Sequence, residues 1–165
     1  KKIKKMNEIL NKRTIKRVEE SLKKFDAKIK IKFLESSART AKDAANSLNC
    51  ELGAIVKSLV FKTDKDFFIC LVAGDKRCSL NKLKRILDKK DVCMANALQV
   101  KENTGFSIGG VSPTGHKKKL DIIIDNSLSR FKYVYGAAGH PDCVFRITYS
   151  DLIGLTSGSV QEIIE

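Results

Sequence analysis

The stretch from Gly109 to Gly115 restricts the fold most, because it places three glycines and one proline within seven residues. Glycine accepts positive φ and lets a ligand approach the main chain, while proline fixes its own φ and removes a backbone donor. Such a segment is either a tight connection between two strands or a rigid loop that presents its N–H and C=O groups to a ligand. The apolar residues just before it predict a strand over 106–109.

A second unusual residue, Lys57, lies upstream in an apolar run. Residues 54–62 are rich in β-branched and aromatic side chains and are followed by polar residues 63–66, which predicts a strand and a hairpin turn. Side chains alternate along a strand, so Lys57 shares a face with Leu59, and Ser58 lies on the other face. A lysine there must extend to solvent, pair with an acid or line a cavity. In a cavity it predicts an anionic or carbonyl-bearing ligand.

The composition is typical of one globular domain: 165 residues, 42% of them hydrophobic and 31% charged. No apolar stretch approaches the roughly 20 residues that span a bilayer. The lysine-rich start, residues 1–5, has no apolar run after it and does not predict a secretory signal. We therefore expect a cytoplasmic protein with no membrane partner.

Five cysteines and two histidines show no metal-ligand spacing. The cysteines are odd in number and none forms a Cys-x-x-Cys motif, which favours reduced thiols over a disulfide framework or a zinc site. Cys70 and Cys143 lie in strand-like surroundings and are interpreted as small core residues. The sequence predicts neither a metal nor another cofactor.

The positive charge is concentrated at the N-terminus. The chain has a net charge of +13, and residues 1–32 alone carry 13 lysines or arginines and four acids. A basic segment beside a nearly balanced domain suits a polyanion such as tRNA. The alternative is codon bias, because 25 of the 32 basic residues are lysine, as expected of an AT-rich genome. Both explanations stay open.

Local patterns predict alternating helices and strands. Apolar residues three and four apart predict an amphipathic helix over 7–26. Capping residues and further apolar spacing predict helices beginning near Thr40, Ser79, Ala95 and Ser150. Strands are predicted at 29–33, 55–62, 67–73, 106–109, 121–125, 133–137 and 144–148. These elements predict a single α+β domain with a mixed, partly closed β-sheet or barrel and helices packed outside it.

Four segments in a fixed order resemble a known family: 37–45, 55–61, 109–115 and 137–145. Together they strongly resemble the YbaK/ProX family, the free-standing relatives of the bacterial prolyl-tRNA synthetase editing domain. The resemblance implies an editing domain over 33–165, preceded by a basic N-terminal helix and lead-in over 1–32 that belong to the same structural domain. It also implies hydrolysis of the ester of mischarged aminoacyl-tRNA, in trans and without a metal.

The resemblance implies roles for individual residues. Lys57 matches the family's essential lysine and is assigned to the 3′-terminal adenosine of tRNA, where its compact charge would support the transition state. The main chain at Gly109 and Gly110 would hold the carbonyl, the water or the α-amino group. The wall of a small amino-acid pocket would be formed by Val111, Ser112 and Pro113.

Three further residues carry weaker signals. His140, which follows Gly139 in a loop between strands, would contact the terminal adenosine or the amino acid; the alternative is a plain surface histidine. His116 precedes three lysines and is interpreted as a solvated loop residue or a phosphate contact. Ser58 stands where several alanine-removing relatives carry asparagine. Because it faces away from Lys57, we expect its influence on the pocket to be indirect.

The sequence thus predicts an aminoacyl-tRNA deacylase that acts in trans on a mischarged small aminoacyl-tRNA, with tRNA(Pro) as the tRNA. The expected partners are aminoacyl-tRNA and a prolyl-tRNA synthetase. The amino acid stays open among alanine, cysteine, serine, threonine and small non-protein residues. The alternatives are a non-catalytic tRNA- or synthetase-binding module of the same fold and a small-molecule binder.

Overall fold

The strands of this chain form two sheets with helices packed against them. The computed structural model describes residues 1–36 and 39–165; Ser37 and Ala38, which begin the first family segment, lie outside the described residues. The helices are α1 (Lys2–Leu10), α2 (Arg13–Phe25), α3 (Ala41–Leu48), α4 (Leu80–Leu87), α5 (Ala97–Thr104) and α6 (Tyr149–Thr156). The strands are β1 (Ile31–Phe33), β2 (Val56–Thr63), β3 (Asp66–Ala73), β4 (Val92–Met94), β5 (Asp121–Asp125), β6 (Tyr133–His140), β7 (Cys143–Thr148) and β8 (Ser159–Gln161). Two 3-10 turns cover Leu52–Ala54 and Asn126–Arg130.

The larger sheet has five strands in the order β4-β2-β3-β5-β8. β2 and β3 form the predicted antiparallel hairpin, whose two-residue turn begins at Asp64 with a φ of 50°. β5 pairs in parallel with β3, and β8 in parallel with β5. β4 pairs only with the end of β2, from Phe61 to Thr63. The first half of β2, which carries Lys57, therefore has β3 on one side and no ladder partner on the other.

The smaller sheet has the order β1-β7-β6, with both pairs antiparallel. A single parallel bridge, Ile55 to Tyr135, joins it to the larger sheet. The prediction of one mixed α+β domain is confirmed. Because one residue pair rather than a continuous ladder connects the two sheets, they do not close into a barrel within the described chain.

Helix capping follows the local sequence closely. The Thr40 side chain accepts the N–H of Asp43 at 3.1 Å and begins α3, and Ser79 accepts the N–H of Lys82 at 3.2 Å and begins α4. Each contact satisfies a first-turn N–H that lacks a partner within the helix. These two helix starts were predicted correctly.

Two local predictions are wrong. Residues 106–109 are not a strand: Gly105 ends α5 with a φ of 80°, and the N–H of Gly110 donates to the carbonyl of Ser107 at 2.9 Å, which closes a turn. The helix expected over 7–26 is two helices, interrupted at Asn11 and Lys12. The strands β4 and β8 were missed, because three residues carry too little alternation to be recognised.

Helix α2 belongs to the core. Its side chains Ile15, Val18 and Leu22 are buried at the predicted helical spacing. The loop at Gly115 and the end of β6 at Gly139 also pack closely against the main chain of α2. A Cβ on Gly115 would lie 3.1 Å from the Cα of Val18, and one on Gly139 would lie 2.9 Å from the carbonyl oxygen of Thr14. The basic segment 1–32 therefore contains a structural helix as well as surface lysines.

This division of the N-terminus can be tested by truncation. Deleting residues 1–12 removes α1, whose buried side chain is Ile9, and should leave a cooperative urea transition in circular dichroism. Deleting residues 1–27 should abolish that transition, because truncating even one core aliphatic side chain costs about 2–5 kcal/mol. Cooperative folding of residues 28–165 alone would show that the core does not require α2.

Candidate active site

A small cavity lies where the first half of β2 faces the smaller sheet and the segment Gly109–Gly115, which we call the glycine loop. Its volume is about 240 Å³, and its walls come from β2, the glycine loop, β6, β7 and the start of α3. Apolar side chains such as Val56 and Val144 form much of the lining. We call this space the glycine-loop cavity.

Four of the predicted site residues meet at this cavity although they are distant in sequence: Lys57, Ser58, Gly109 and Val111. The other five do not line it: Gly110, Ser112, Pro113, Gly139 and His140. Arg39 and Thr40 do line it, although neither was predicted from the sequence to have a role in the site. Their one signal for such a role is their position in the first family segment.

The two glycines at the start of the loop differ in their surroundings. Gly109 has a φ of 92°, and a Cβ there would meet only the ring of Pro141, at 3.7 Å, so the space beside it is open. A Cβ on Gly110 would come within 3.1 Å of the main chain of His140. Gly109 thus exposes backbone to the cavity, while Gly110 allows two loops to pack closely.

Ser112 and Pro113 hold the glycine loop from behind. The buried Ser112 accepts the N–H of Thr114 on its hydroxyl at 3.1 Å, and its carbonyl accepts a hydrogen bond from Nε2 of His116 at 2.6 Å. Pro113 packs against Gly136, where a Cβ would be 3.0 Å from the proline ring. These contacts fix the course of the main chain that Gly109 presents.

The expectation of a solvated His116 is wrong. Its ring packs edge-on against Phe106, and its hydrogen bond to Ser112 closes the glycine loop. Burial lowers the pKa of His116; the hydrogen bond to Ser112 opposes this shift, and the charge of Arg17 adds to it. His116 is therefore a neutral structural group whose Nε2 carries the proton.

His140 lies at an irregular point of β6, where the pairing with β7 shifts register. Its Nδ1 accepts the N–H of Asp142 at 3.0 Å, so the neutral ring carries its proton on Nε2. Burial lowers the pKa of His140, the carboxylate of Asp142 opposes this, and the charges of Lys12 and Lys5 add to it. His140 is thus held at the end of β6 by its hydrogen bond to Asp142, near enough to Lys5 and Lys12 for their charges to act on its ring.

Lys57 lies at the boundary of the glycine-loop cavity, and its ammonium points away from Ser58. Its Nζ donates a hydrogen bond to the main-chain carbonyl of Lys76. Burial lowers the pKa of Lys57, and the nearby carboxylate of Asp75 opposes that shift. Asp75 itself is held by the guanidinium of Arg130 at 2.8 and 2.9 Å. The lysine is therefore half-buried and forms no ion pair with the carboxylates of residues 1–36 and 39–165.

Ser58 has a more direct place in the site than expected. It lines the glycine-loop cavity, and its Oγ is buried without a hydrogen-bond partner among the described residues. A buried hydroxyl without a partner is costly.

The described residues, 1–36 and 39–165, contain no cluster of three or more His, Cys, Asp or Glu side chains that could hold a metal ion. None of their helices is long and apolar enough to cross a membrane.

Comparison with known proteins identifies the family. The family model of the aminoacyl-tRNA editing domain matches residues 35–155. The chain also superposes on the crystal structure of a candidate trans-editing enzyme for prolyl tRNA synthetase, with a TM-score of 0.88 and 37% identity over 93% of this chain and 98% of that one. The fold is thus that of an editing domain. This protein belongs to the aminoacyl-tRNA editing domain family.

Sequence relatives fall into two kinds. The chain is 34% identical to the protein YwhH of Bacillus subtilis (strain 168) over 119 residues, 72% of this chain and 75% of that protein. It is 36% identical to the proline–tRNA ligase of Thermosipho africanus (strain TCF52B) over 101 residues, 61% of this chain. The match spans only 18% of that ligase. The chain is therefore similar to one part of the ligase.

The two histidines predict a pH dependence of stability. Their pKa values are lowered in the folded protein, so the unfolded chain binds more protons at mildly acidic pH. The free energy of unfolding should fall as pH drops below the unfolded histidine value of about 6.5. Urea titrations at about pH 7.5, 6.5 and 5.5 measure this slope.

The matched variant combines His116→Gln with His140→Asn. Glutamine can donate to the carbonyl of Ser112, and asparagine can accept the N–H of Asp142, so both hydrogen bonds are kept without a titrating ring. Its stability should be flat over the same pH range. A wild-type slope in this variant would mean that other groups cause the loss.

Proposed function

We propose that this protein is an aminoacyl-tRNA deacylase that hydrolyses the ester of a mischarged small aminoacyl-tRNA in trans, in the cytoplasm. The observation that carries the proposal is the meeting of Lys57, Ser58 and Gly109 at one small cavity. Membership of the editing domain family supports the reaction. The similarity to proline–tRNA ligases supports tRNA(Pro) as the tRNA and a prolyl-tRNA synthetase as partner.

The proposed reaction needs few catalytic groups from the protein. An aminoacyl ester is already activated, so its hydrolysis needs a placed water and stabilisation of the developing oxyanion rather than a strong nucleophile. The main chain of Gly109 faces the space where the ester carbonyl or the water would lie. Lys57 supplies positive charge to the sugar or phosphate oxygens of the terminal adenosine. The proposal gives Lys57 the role of a positioned charge, which a metal ion would otherwise fill.

The cavity accommodates a small amino acid. Alanine, cysteine, serine, threonine or a small non-protein residue fits within a volume of about 240 Å³. The unpaired hydroxyl of Ser58 would bond to a polar side chain or to the α-amino group. Val111 closes the apolar wall.

The remaining predicted residues act in this proposal through the shape of the loop. Gly110, Ser112 and Pro113 fix the course of the glycine loop, and Gly139 packs beside α2. His140 contacts Gly110 along its main chain. Their substitution should therefore change activity together with stability, unlike substitution of Lys57.

The decisive experiment is a panel of labelled mischarged tRNAs incubated with the purified protein. At least one small aminoacyl ester should be hydrolysed faster than it decays spontaneously. Lys57→Ala should lower that rate about a hundredfold to a thousandfold, the effect of losing about 2.7–4 kcal/mol of transition-state stabilisation. Lys57→Arg should retain little activity, because a guanidinium differs in shape and donor geometry.

The matched control is Lys62→Ala, which removes a lysine from the same strand outside the cavity lining and should keep the wild-type rate. Lys57→Met should leave the free energy of unfolding unchanged or higher, because burial disfavours the ammonium. If Lys57→Met unfolds the protein, Lys57 is a structural ion. If every ester survives at its spontaneous rate, the protein is a non-catalytic binding module of the same fold.

The lysines of α1 give a separate prediction about tRNA binding. Residues 1–12 contain five lysines and one glutamate, and their removal spares the α2 core. Deletion should weaken tRNA binding and flatten its salt dependence, by about 0.9 in log–log slope for each phosphate that is no longer neutralised. Hydrolysis of a minimal aminoacyl-acceptor substrate should be largely unchanged. If the salt slope is unaltered, these lysines do not contact tRNA and only reflect the codon bias of the genome.

A further inference from the structure

A second cavity lies on the other side of Lys57. Its volume is about 710 Å³, within the roughly 300–1,000 Å³ of small-ligand sites. The hydrogen bond from Lys57 to the carbonyl of Lys76 turns the ammonium towards it. Its lining includes Arg77, Asn81 and Lys84 around the start of α4, and we call it the α4 cavity.

The α4 cavity carries excess positive charge. Lys57, Arg77 and Lys84 line it, against the single carboxylate-bearing residue Glu165. The Nε of Arg77 lies 3.8 Å from Oε2 of Glu165, and the two side chains are 85% and 62% exposed. An ion pair this exposed to water contributes little to stability. Lys84 forms no ion pair within the described part of the chain. Two cations besides Lys57 are thus available to an anionic ligand.

An apolar wall faces these cations. Leu59 and Phe61 follow Lys57 on its face of β2, and Met94 of β4 closes the wall with 55% of its surface exposed. Phosphate contacts from Lys and Arg combined with an apolar surface for a base are typical of sites for single-stranded nucleic acid. The cavity therefore suits a nucleotide better than a simple anion.

We propose that the α4 cavity binds the 3′-terminal nucleotides of the tRNA whose aminoacyl ester occupies the glycine-loop cavity. Arg77 and Lys84 contact phosphodiester oxygens, and a base lies against Met94. The inference rests on the proposed function: Lys57 lines both cavities, so the RNA end of an aminoacyl ester bound in the glycine-loop cavity would extend past Lys57 into the α4 cavity.

Binding of the RNA trinucleotide 5′-CCA-3′ tests this without any catalytic step. Fluorescence anisotropy at low salt should show binding to the wild type and about tenfold weaker binding to Arg77→Ala/Lys84→Ala. The salt slope of this variant should be smaller by about 1.4, because two phosphates are no longer neutralised. The control Lys65→Ala/Lys90→Ala removes the same charge from exposed positions outside this cavity. It should bind like the wild type.

The alkylation rate of Cys78 provides a second, local measurement of trinucleotide binding. Cys78 lines the α4 cavity, and a hydrogen bond from Cys70 lowers its pKa, aided by the charge of Lys57. Iodoacetamide alkylation, read by peptide mass spectrometry, should slow at Cys78 when the trinucleotide is bound. The exposed Cys93, which is outside the cavity lining, should react at an unchanged rate.

The outcomes separate this inference from the proposed function. Equal trinucleotide binding by the wild type and Arg77→Ala/Lys84→Ala, or no binding by the wild type, overturns the cavity assignment even if esters are hydrolysed. Equal protection of Cys78 and Cys93 also overturns it. If trinucleotide binding depends on Arg77 and Lys84 but no ester is hydrolysed, the deacylase proposal fails and the nucleotide site remains.

Discussion

The close packing of two positive-φ glycines against the main chain of α2 is the constraint on which the candidate active site depends. Gly115 ends the glycine loop, and Gly139 lies where β6 loses register with β7. A Cβ on either would approach the α2 backbone to 3.1 or 2.9 Å. Because glycine alone suits both the conformation and the space, the glycine loop and the end of β6 can pack directly on α2. This packing adds to the contacts of Ser112 and Pro113 and to the positive φ of Gly109 itself, which together place Gly109 at the cavity.

Strand β2 contributes residues to the lining of both cavities. Ser58 lines the glycine-loop cavity, Phe61 lines the α4 cavity, and Lys57 and Leu59 line both. One strand thus forms part of both cavities within a few residues. Among the described residues β4 pairs only with the end of β2, so the first half of β2 has β3 as a ladder partner on one edge and none on the edge where the glycine-loop cavity lies.

Local features were predictable from the sequence, and features that depend on distant contacts were not. The β2–β3 hairpin and the caps at Thr40 and Ser79 follow from neighbouring residues, which is why their prediction succeeded. His116 was misinterpreted because its partners, Phe106 and Ser112, are brought to it by the loop. The site was predictable as a set through the family segments. Which members line the cavity was not, because that depends on how the two sheets meet.

The cost of burying Lys57 links structure to function. Burial lowers its pKa, yet the nearest carboxylate, on Asp75, is already engaged by Arg130. The ammonium is balanced by one carbonyl dipole, that of Lys76, which compensates a buried charge less fully than an anion does. An anionic ligand at the boundary of the two cavities would therefore gain more from Lys57 than from an exposed lysine. In the proposed function, the charge of Lys57 would therefore contribute less to packing than to the interaction that forms when the ligand binds.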